Sequence, residues 1–346
     1  MDKKSFLADI LIEPKNLRTA LENFPMETIE PLMARIRAED FNKIILAGHG
    51  SSYNSLYPAF LKISQQDVPV ALWQTAELLH YGVNQIGAQT LLVLNSQSGE
   101  SAEVKSLLGK VEKTNGACIL GFTNYAESDL GKNSDHLVEL FAGEEFGVAA
   151  GTYLNSVGLS LVFAHLLCGE NADAIIDVFK SCSDVMEKYL ENYQVKLDEI
   201  DELLGDVQNV MVIGRGPSMA AALNGALNQK EAAWMFTEGM NAAEFRHGPL
   251  ELADPNLTLV VLEGDQKTAG YTLALAEEVA SYGGKVIWIG NHPSATLQSI
   301  SIPNGKEAAL PLAELLPVQL IAQTLSTRKG LEAGKFRRIG KVVLKE

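Results

Sequence analysis

Positive charge is scarce in this sequence of 346 residues: 28 Lys and Arg stand against 43 Asp and Glu, a formal net charge of −15. A nucleic-acid backbone attracts the opposite sign, so no nucleic-acid partner is expected. Small anions are a separate matter, because one local donor site suffices for them. Cysteine is also scarce. Cys118, Cys168 and Cys182 form no CxxC pair, which excludes a disulfide framework and points to a reducing compartment. No run approaches the roughly 20 uninterrupted apolar residues of a membrane-spanning helix. The opening MDKKSFLADILIEPKN lacks the apolar core and small-residue cleavage site of a secretory signal. His80, His136, His165 and His292 fall at no metal-ligand spacing, so neither metal nor cofactor is expected. These absences together predict a cytoplasmic globular protein with no membrane partner.

Short apolar runs are present and regularly spaced. KIILAG (43–48), VPVALW (68–73), TLLVLNS (90–96), ACILGFTN (117–124) and HLVEL (136–140) read as buried parallel strands, each bounded by small or polar residues. The segments between them are long enough for crossover helices, which predicts an α/β doubly wound sheet. The pattern then restarts: NVMVIGRGPS (209–218) echoes KIILAGHGSS (43–52), and LTLVVLEG (257–264), KVIWIG (285–290) and SISIP (300–304) follow. A helical region over about 152–205 separates the halves, its charged run reading as a surface helix pair. The expected organisation is an N-terminal helical extension (1–25), a first α/β domain (26–170), a helical connector (171–205), a second α/β domain (206–330) and a tail (331–346). Both Gly-x-Gly turns lack the third glycine and the later acidic residue of a dinucleotide fingerprint, so they read as tight strand-to-helix turns.

Asn95-Ser96-Gln97-Ser98-Gly99-Glu100-Ser101 is the strongest local signal, at the end of an apolar run and ahead of a helix. Hydroxyls and an amide converge where helix-opening N–H groups lack partners and the dipole is positive, so they can surround a phosphate without any lysine. Helix capping accounts for one of these serines but leaves the other polar side chains without a purpose. Ser51 and Ser52 open another helix after a parallel strand. They can face the same anion, because ligands of open α/β sheets sit at the carboxyl ends of strands.

Two further residues have the chemistry for proton transfer. Glu231 stands on a helical stretch (225–234) before Ala232, Ala233 and Trp234, where burial would raise its carboxyl toward neutrality. His247 lies in His-Gly-Pro at the end of NAAEFRHGPLELAD (241–254), read as a helix ending in a turn, and its neutral-range imidazole suits acid–base work. A lysine-adjacent surface glutamate and a turn-bound histidine are the plain alternatives. Lys341 precedes a short apolar run in the C-terminal GKFRRIGKVVLKE, where a solvated basic tail is the plain reading.

In order along the chain, GHGSSYNS (48–55), NSQSGES (95–101), AGEEFGVA (142–149), GRGPSMAAALNGALNQKE (214–231), EFRHGPLEL (244–252) and the terminal GKVVLKE resemble the sugar isomerase (SIS) domain family. Within that family they are similar to the isomerase half of the glucosamine-6-phosphate synthases. The resemblance implies two tandem SIS domains, each a flavodoxin-like parallel-sheet α/β sandwich, and a sugar phosphate bound in the first. It assigns phosphate binding to Ser52, Ser96, Gln97, Ser98 and Ser101, a main-chain sugar contact to Val148, and the general base to Glu231. It further assigns ring opening to His247, delivered from the neighbouring subunit of a homodimer, and carbonyl engagement to Lys341. The family's VASTKA is replaced by Val148-Ala149-Ala150-Gly151-Thr152-Tyr153, and an acid and a lysine before the base are replaced by Asn224 and Asn228. The glutaminase half has no counterpart in this sequence, so ammonia drawn from glutamine is not expected. The activity implied is that of a phosphosugar isomerase or deaminase of the glucosamine 6-phosphate/fructose 6-phosphate type. A deglycase of phosphorylated sugar–amino acid adducts and a non-catalytic sugar-phosphate sensor are the alternatives.

Overall fold

In a computed structural model, residues 4–113, 116–303, 305–338 and 340–342 are described. The first five apolar runs form parallel strands: β1 (Lys43–Gly48), β2 (Val70–Gln74), β3 (Thr90–Asn95), β4 (Cys118–Thr123) and β5 (His136–Glu139). They lie in the order β2-β1-β3-β4-β5. The register sets Ala47 beside Trp73 on one side and Leu94 on the other. Every residue of β3 and β4 is buried, which is why these strands read as continuous apolar runs without alternation. Ile45, Ala47, Leu92 and Leu94 pack with Val104 and Leu107 of the Ala102–Lys113 helix in one core cluster.

The second sheet repeats this topology. β6 (Asn209–Gly214), β7 (Thr237–Asn241), β8 (Leu257–Leu262), β9 (Lys285–Gly290) and β10 (Gln298–Ser301) lie parallel in the order β10-β9-β8-β6-β7. Counted within its own half, each sheet has the flavodoxin-like strand order 2-1-3-4-5. The sequence reading had no counterpart for β7. Its residues, Thr-Glu-Gly-Met-Asn, carry no apolar run, and as an edge strand paired only with β6 it is buried at Thr237 alone.

Helices Gly151–Leu167, Ala172–Leu190 and Tyr193–Leu204 fill the region between the sheets in sequence, and the charged run breaks into two helices at 191–192. The helix expected over 241–254 is much shorter. Ala242–Phe245 makes one turn, Gly248 takes φ +128°, and Pro249 opens a separate 3₁₀ turn, Pro249–Leu252. A proline ring and a positive φ are both incompatible with continuing the helix. The stretch Glu307–Arg328 is long and apolar enough by composition to cross a membrane, but 89% of its most apolar window is buried inside the protein, as in a core helix.

The chain separates into two compact units. One contains the first sheet and comprises Asn16–Glu144, Gly151–Asp177 and the chain from Arg337 onward; the other contains the second sheet and comprises the chain up to Lys15, Glu145–Ala150 and Val178–Phe336.

Candidate active site

In the first unit the strand order diverges between β1 and β3, so the loops after these two strands border an open crevice, the usual ligand position of such sheets. The chain leaves β1 through Gly48, where a Cβ would stand 2.7 Å from the Ser52 carbonyl carbon, and turns at Gly50 with φ +51° into the short helix Ser51–Ser55. Asn95, the last residue of β3, ties the two loops together. Its Nδ2 donates to Ser52 O (3.1 Å) and Ser55 Oγ (2.7 Å), and its Oδ1 accepts from Ser156 Oγ (3.3 Å).

The 96–101 loop is held by the end of β4 and the segment that follows it. Gln97 O accepts from Asn124 N (3.1 Å) and Thr123 Oγ1 (3.2 Å), and Gly99 O accepts from Leu130 N (3.1 Å). Glu100 Oε1 accepts from Asp129 N at 2.7 Å, and Lys105 bridges Glu100 and Asp129 at 2.6 and 3.1 Å. The Lys105 hydrogen bond, then the Asp129 N–H, hold the Glu100 carboxyl below its ordinary range. Gly99 is required by the shape of the turn: φ is +64°, and a Cβ there would stand 2.1 Å from Ser128 Oγ. Ser96 Oγ accepts from Gly99 N and Ser98 Oγ from Glu100 N, both at 3.2 Å, so these two hydroxyls brace the turn ahead of the helix rather than cap the helix itself. Each hydroxyl still keeps its proton to donate. The side chains of Ser51, Ser52, Gln97 and Ser101 have no hydrogen-bond partner among the described residues. The Ala102–Lys113 helix begins directly after them, so its first N–H groups and its positive dipole end add to the same anion cradle.

In the second unit, the helix Met219–Ala233 carries Asn224, Asn228 and Glu231 at spacings of four and three residues, along one face. Trp234 closes the helix in the left-handed region, φ +48°, with Met235 N donating to Gln229 O. Burial pushes the Glu231 carboxyl up to about 7, and no described residue hydrogen-bonds to it. Asn224 Nδ2 donates to Asn228 Oδ1 (3.2 Å), and Asn228 Nδ2 reaches the carbonyl of Ala149 (3.5 Å), next to the fully buried Val148. The 145–150 segment is braced by two carboxylates: Phe146 N donates to Asp9 Oδ2 (2.8 Å) and Ala150 N to Glu145 Oε1 (3.0 Å). Gly147 lies so close to the Gly334 carbonyl that a Cβ would stand 1.8 Å from it.

His247 is exposed, its N–H bonded to Glu244 O at 2.8 Å, beside a cavity of about 220 Å³ that Arg215, Arg246 and Tyr271 also line. Lys341 is exposed in the first unit, and the terminal motif beyond Val342 lies outside the described residues. Thus the structure joins Ser51 and Ser52 to the 96–101 loop through Asn95, and Val148 to the helix of Glu231 through Asn228. His247 and Lys341 lie in separate segments outside the helices and strands. Among the described residues, no group of three or more His, Cys, Asp or Glu is arranged to hold a metal.

Sequence reasoning missed Asn95 as the tie between loops, and it missed two buried acids, Glu13 and Glu314. Glu13 accepts from Gln319 Nε2 at 2.6 Å, and burial drives its carboxyl well above the ordinary range, with Glu145 and Asp9 adding to the rise. A lone acid inside an otherwise apolar run, as in LPLAELLPVQ (310–319), was the available signal for Glu314.

The profile of the SIS domain family matches residues 39–168 and 203–327, one copy per sheet. A glutamine–fructose-6-phosphate aminotransferase (isomerizing) of Pyrococcus horikoshii is 30% identical over 348 residues, covering 98% of this chain and 57% of the relative. The chain spans 58% of the corresponding aminotransferase of Aquifex aeolicus at 27% identity, so it accounts for less than two thirds of either. Among solved structures, the C-terminal domain of glucosamine-fructose-6-phosphate aminotransferase from Francisella tularensis shares the fold with a TM-score of 0.82 at 23% identity, covering 96% of this chain and 98% of that one.

Proposed function

The chain belongs to the SIS domain family, and on that premise we propose that it is an aldose–ketose isomerase or deaminase acting on a hexose or amino-hexose 6-phosphate of the glucosamine 6-phosphate/fructose 6-phosphate type. The phosphate takes hydrogen bonds from Ser52, Ser96, Gln97, Ser98 and Ser101, with Ser51 at the same loop, and Val148 meets the sugar through its main chain. His247, supplied by a second copy in a homodimer, assists ring opening, and Lys341 engages the carbonyl. Glu231 carries a proton between C2 and C1 through a cis-enediol or, for an amino sugar, an enolamine. In the second case the resulting C2 imine takes up water: glucosamine 6-phosphate and water become fructose 6-phosphate and ammonia.

The observation that carries the reading is the place of Glu231, on the same helix face as Asn224 and Asn228, where burial pushes its carboxyl up to about 7. Near neutral pH such a group is available both as the base that removes a proton and as the acid that returns it. The retained cradle at 96–101 supplies the phosphate end, and the aminotransferase relatives act on fructose 6-phosphate by name. The test is incubation of the purified protein with glucosamine 6-phosphate while ammonia and fructose 6-phosphate are assayed together. Equal release of both supports deamination, and interconversion of aldose and ketose phosphates without ammonia supports plain isomerisation. If no hexose or hexosamine 6-phosphate turns over while inorganic phosphate still protects the first unit against heat, the enzymatic reading fails and a sensor replaces it. Turnover of phosphorylated sugar–amino acid adducts alone would mark a deglycase.

A further inference from the structure

The second sheet diverges between β6 and β8 as the first does between β1 and β3, so a second crevice exists by topology, but its lining differs. The loop after β6 is Arg215-Gly216-Pro217-Ser218, and that after β8 runs from Glu263 to Thr268. Glu314, the residue ahead of the Leu315–Arg328 helix, enters this crevice and is 0% exposed. The Ser218 hydroxyl and the Gly264 N–H are its polar neighbours. Neither reaches hydrogen-bonding geometry, and both Glu314 carboxyl oxygens and Ser218 Oγ are buried with no partner among the described residues.

The space in front of Gly264 is ringed by oxygen. A Cβ placed there would have Ser218 Oγ and Thr268 Oγ1 at 3.6 Å and the Arg215 carbonyl at 3.7 Å, so a volume about the size of a methyl group stands open between them. The flanking acids are already engaged. Glu263 holds His292 through its N (3.0 Å) and Nδ1 (2.6 Å), and Asp265 Oδ1 accepts from Thr268 N (3.2 Å) and Oγ1 (2.9 Å). Both carboxylates still act on Glu314 electrostatically, adding negative charge beside it, the reverse of what an anion needs.

We propose that this crevice binds a small monovalent cation, with Glu314 and Ser218 as its buried ligands and the Arg215 carbonyl and Thr268 hydroxyl within reach. An all-oxygen donor set suits a hard ion, and one uncommitted carboxylate balances one positive charge. Burial first, then the neighbouring Glu263 and Asp265, push the Glu314 carboxyl up to about 8, so the crevice without an ion holds a neutral acid facing a hydroxyl. An ion would ionise that acid and give the three orphan oxygens their partner.

The test compares thermal unfolding of the purified protein in potassium, sodium, ammonium and choline chlorides at one ionic strength of about 0.1 M, so that screening is constant. The expected result is a Tm roughly 2–4 °C higher in at least one small cation than in choline. Glu314→Gln keeps the side chain's shape without its charge, and should erase that difference while unfolding in choline no lower than the wild type. Ser218→Ala should reduce it. Equal Tm in all four salts means that water or the bare acid fills the crevice, and overturns the proposal. An undiminished difference in Glu314→Gln overturns it equally.

Discussion

Removing the charge of Glu231 should move activity and stability in opposite directions. An unshifted glutamate titrates near 4.5, and burial pushes this one up to about 7. Between those values the unfolded chain has lost a proton that the folded chain still holds. The folded state therefore binds more protons, and stability falls with rising pH by about 1.4 kcal/mol per unit. Across the window the loss comes to about 3 kcal/mol, or roughly 2 once the residual exposure of the side chain is allowed for. Above pH 7 the full penalty is in place. Glu231→Gln removes it, so the variant's Tm should exceed the wild type's by a few degrees at pH 8, with the gain vanishing near pH 4.5. At the same time kcat should fall by about 10²–10⁴-fold, the usual worth of a positioned proton-transfer group. The wild-type kcat/KM should rise tenfold per pH unit on its acid side and level off near 7. Melting curves at pH 5 and 8 together with a pH–rate profile check all three. A glutamine variant no more stable than the wild type at pH 8, or an acid limb near pH 4–5, would refute the claim that Glu231 is a desolvated base.

Ser98→Ala and Ser101→Ala each remove a donor to a charged group, worth about 1.5–3 kcal/mol, so KM should rise about 10–150-fold with kcat little changed. Inorganic phosphate should weaken as a competitive inhibitor by the same factor. Gly99→Ala places a Cβ where Ser128 Oγ stands 2.1 Å away, at a φ of +64°. The loop has to shift, and a phosphate titration should show binding lost while far-UV circular dichroism stays native. If His247 serves a neighbouring copy, mixing inactive Glu231→Gln and His247→Ala proteins should restore about a quarter of wild-type activity, since half of randomly mixed dimers carry one intact site of two. No recovery after verified subunit exchange would exclude the shared site.

The α/β class was legible because parallel strands covered on both faces are apolar nearly throughout, and the six inner strands β1, β3, β4, β6, β8 and β9 carry that signature. β7 does not, since an edge strand answers to one neighbour and keeps polar residues. The candidate phosphate loop, which does lie at the end of β3, stood out through its composition. Its construction did not: nothing in the string NSQSGES reveals that Glu100 is tied to Lys105 and Asp129, or that Asn95 clasps the neighbouring loop. Two of these three ties, Glu100 to Asp129 and Asn95 to the 51–55 segment, join residues tens of positions apart. The short helix Ala242–Phe245 misled for a local reason, because Asn-Ala-Ala-Glu-Phe-Arg has good helix formers and only the following Gly-Pro stops it. Glu314 was passed over as one acid in an apolar stretch, where its isolation was itself the signal.

The two sheets present one crevice topology with opposite electrostatics, and the difference lies in a few side chains. On the proposed reading the first would meet its ligand with neutral donors only. Lys105, the cation closest in sequence to the loop, is committed to Glu100 and Asp129, so attraction for a dianion rests on hydroxyls, amides and a helix terminus at short range. In a chain of net charge −15 this arrangement has a consequence. On that reading the distant field would repel the phosphate while the contact donors held it, and salt would screen the first far more than the second. The second crevice sets Glu263 and Asp265 beside the buried Glu314, and those two carboxylates would repel the same ligand. The two sheet edges thus share one backbone topology and differ in the side chains at their strand ends, which is where any difference in what they hold must arise.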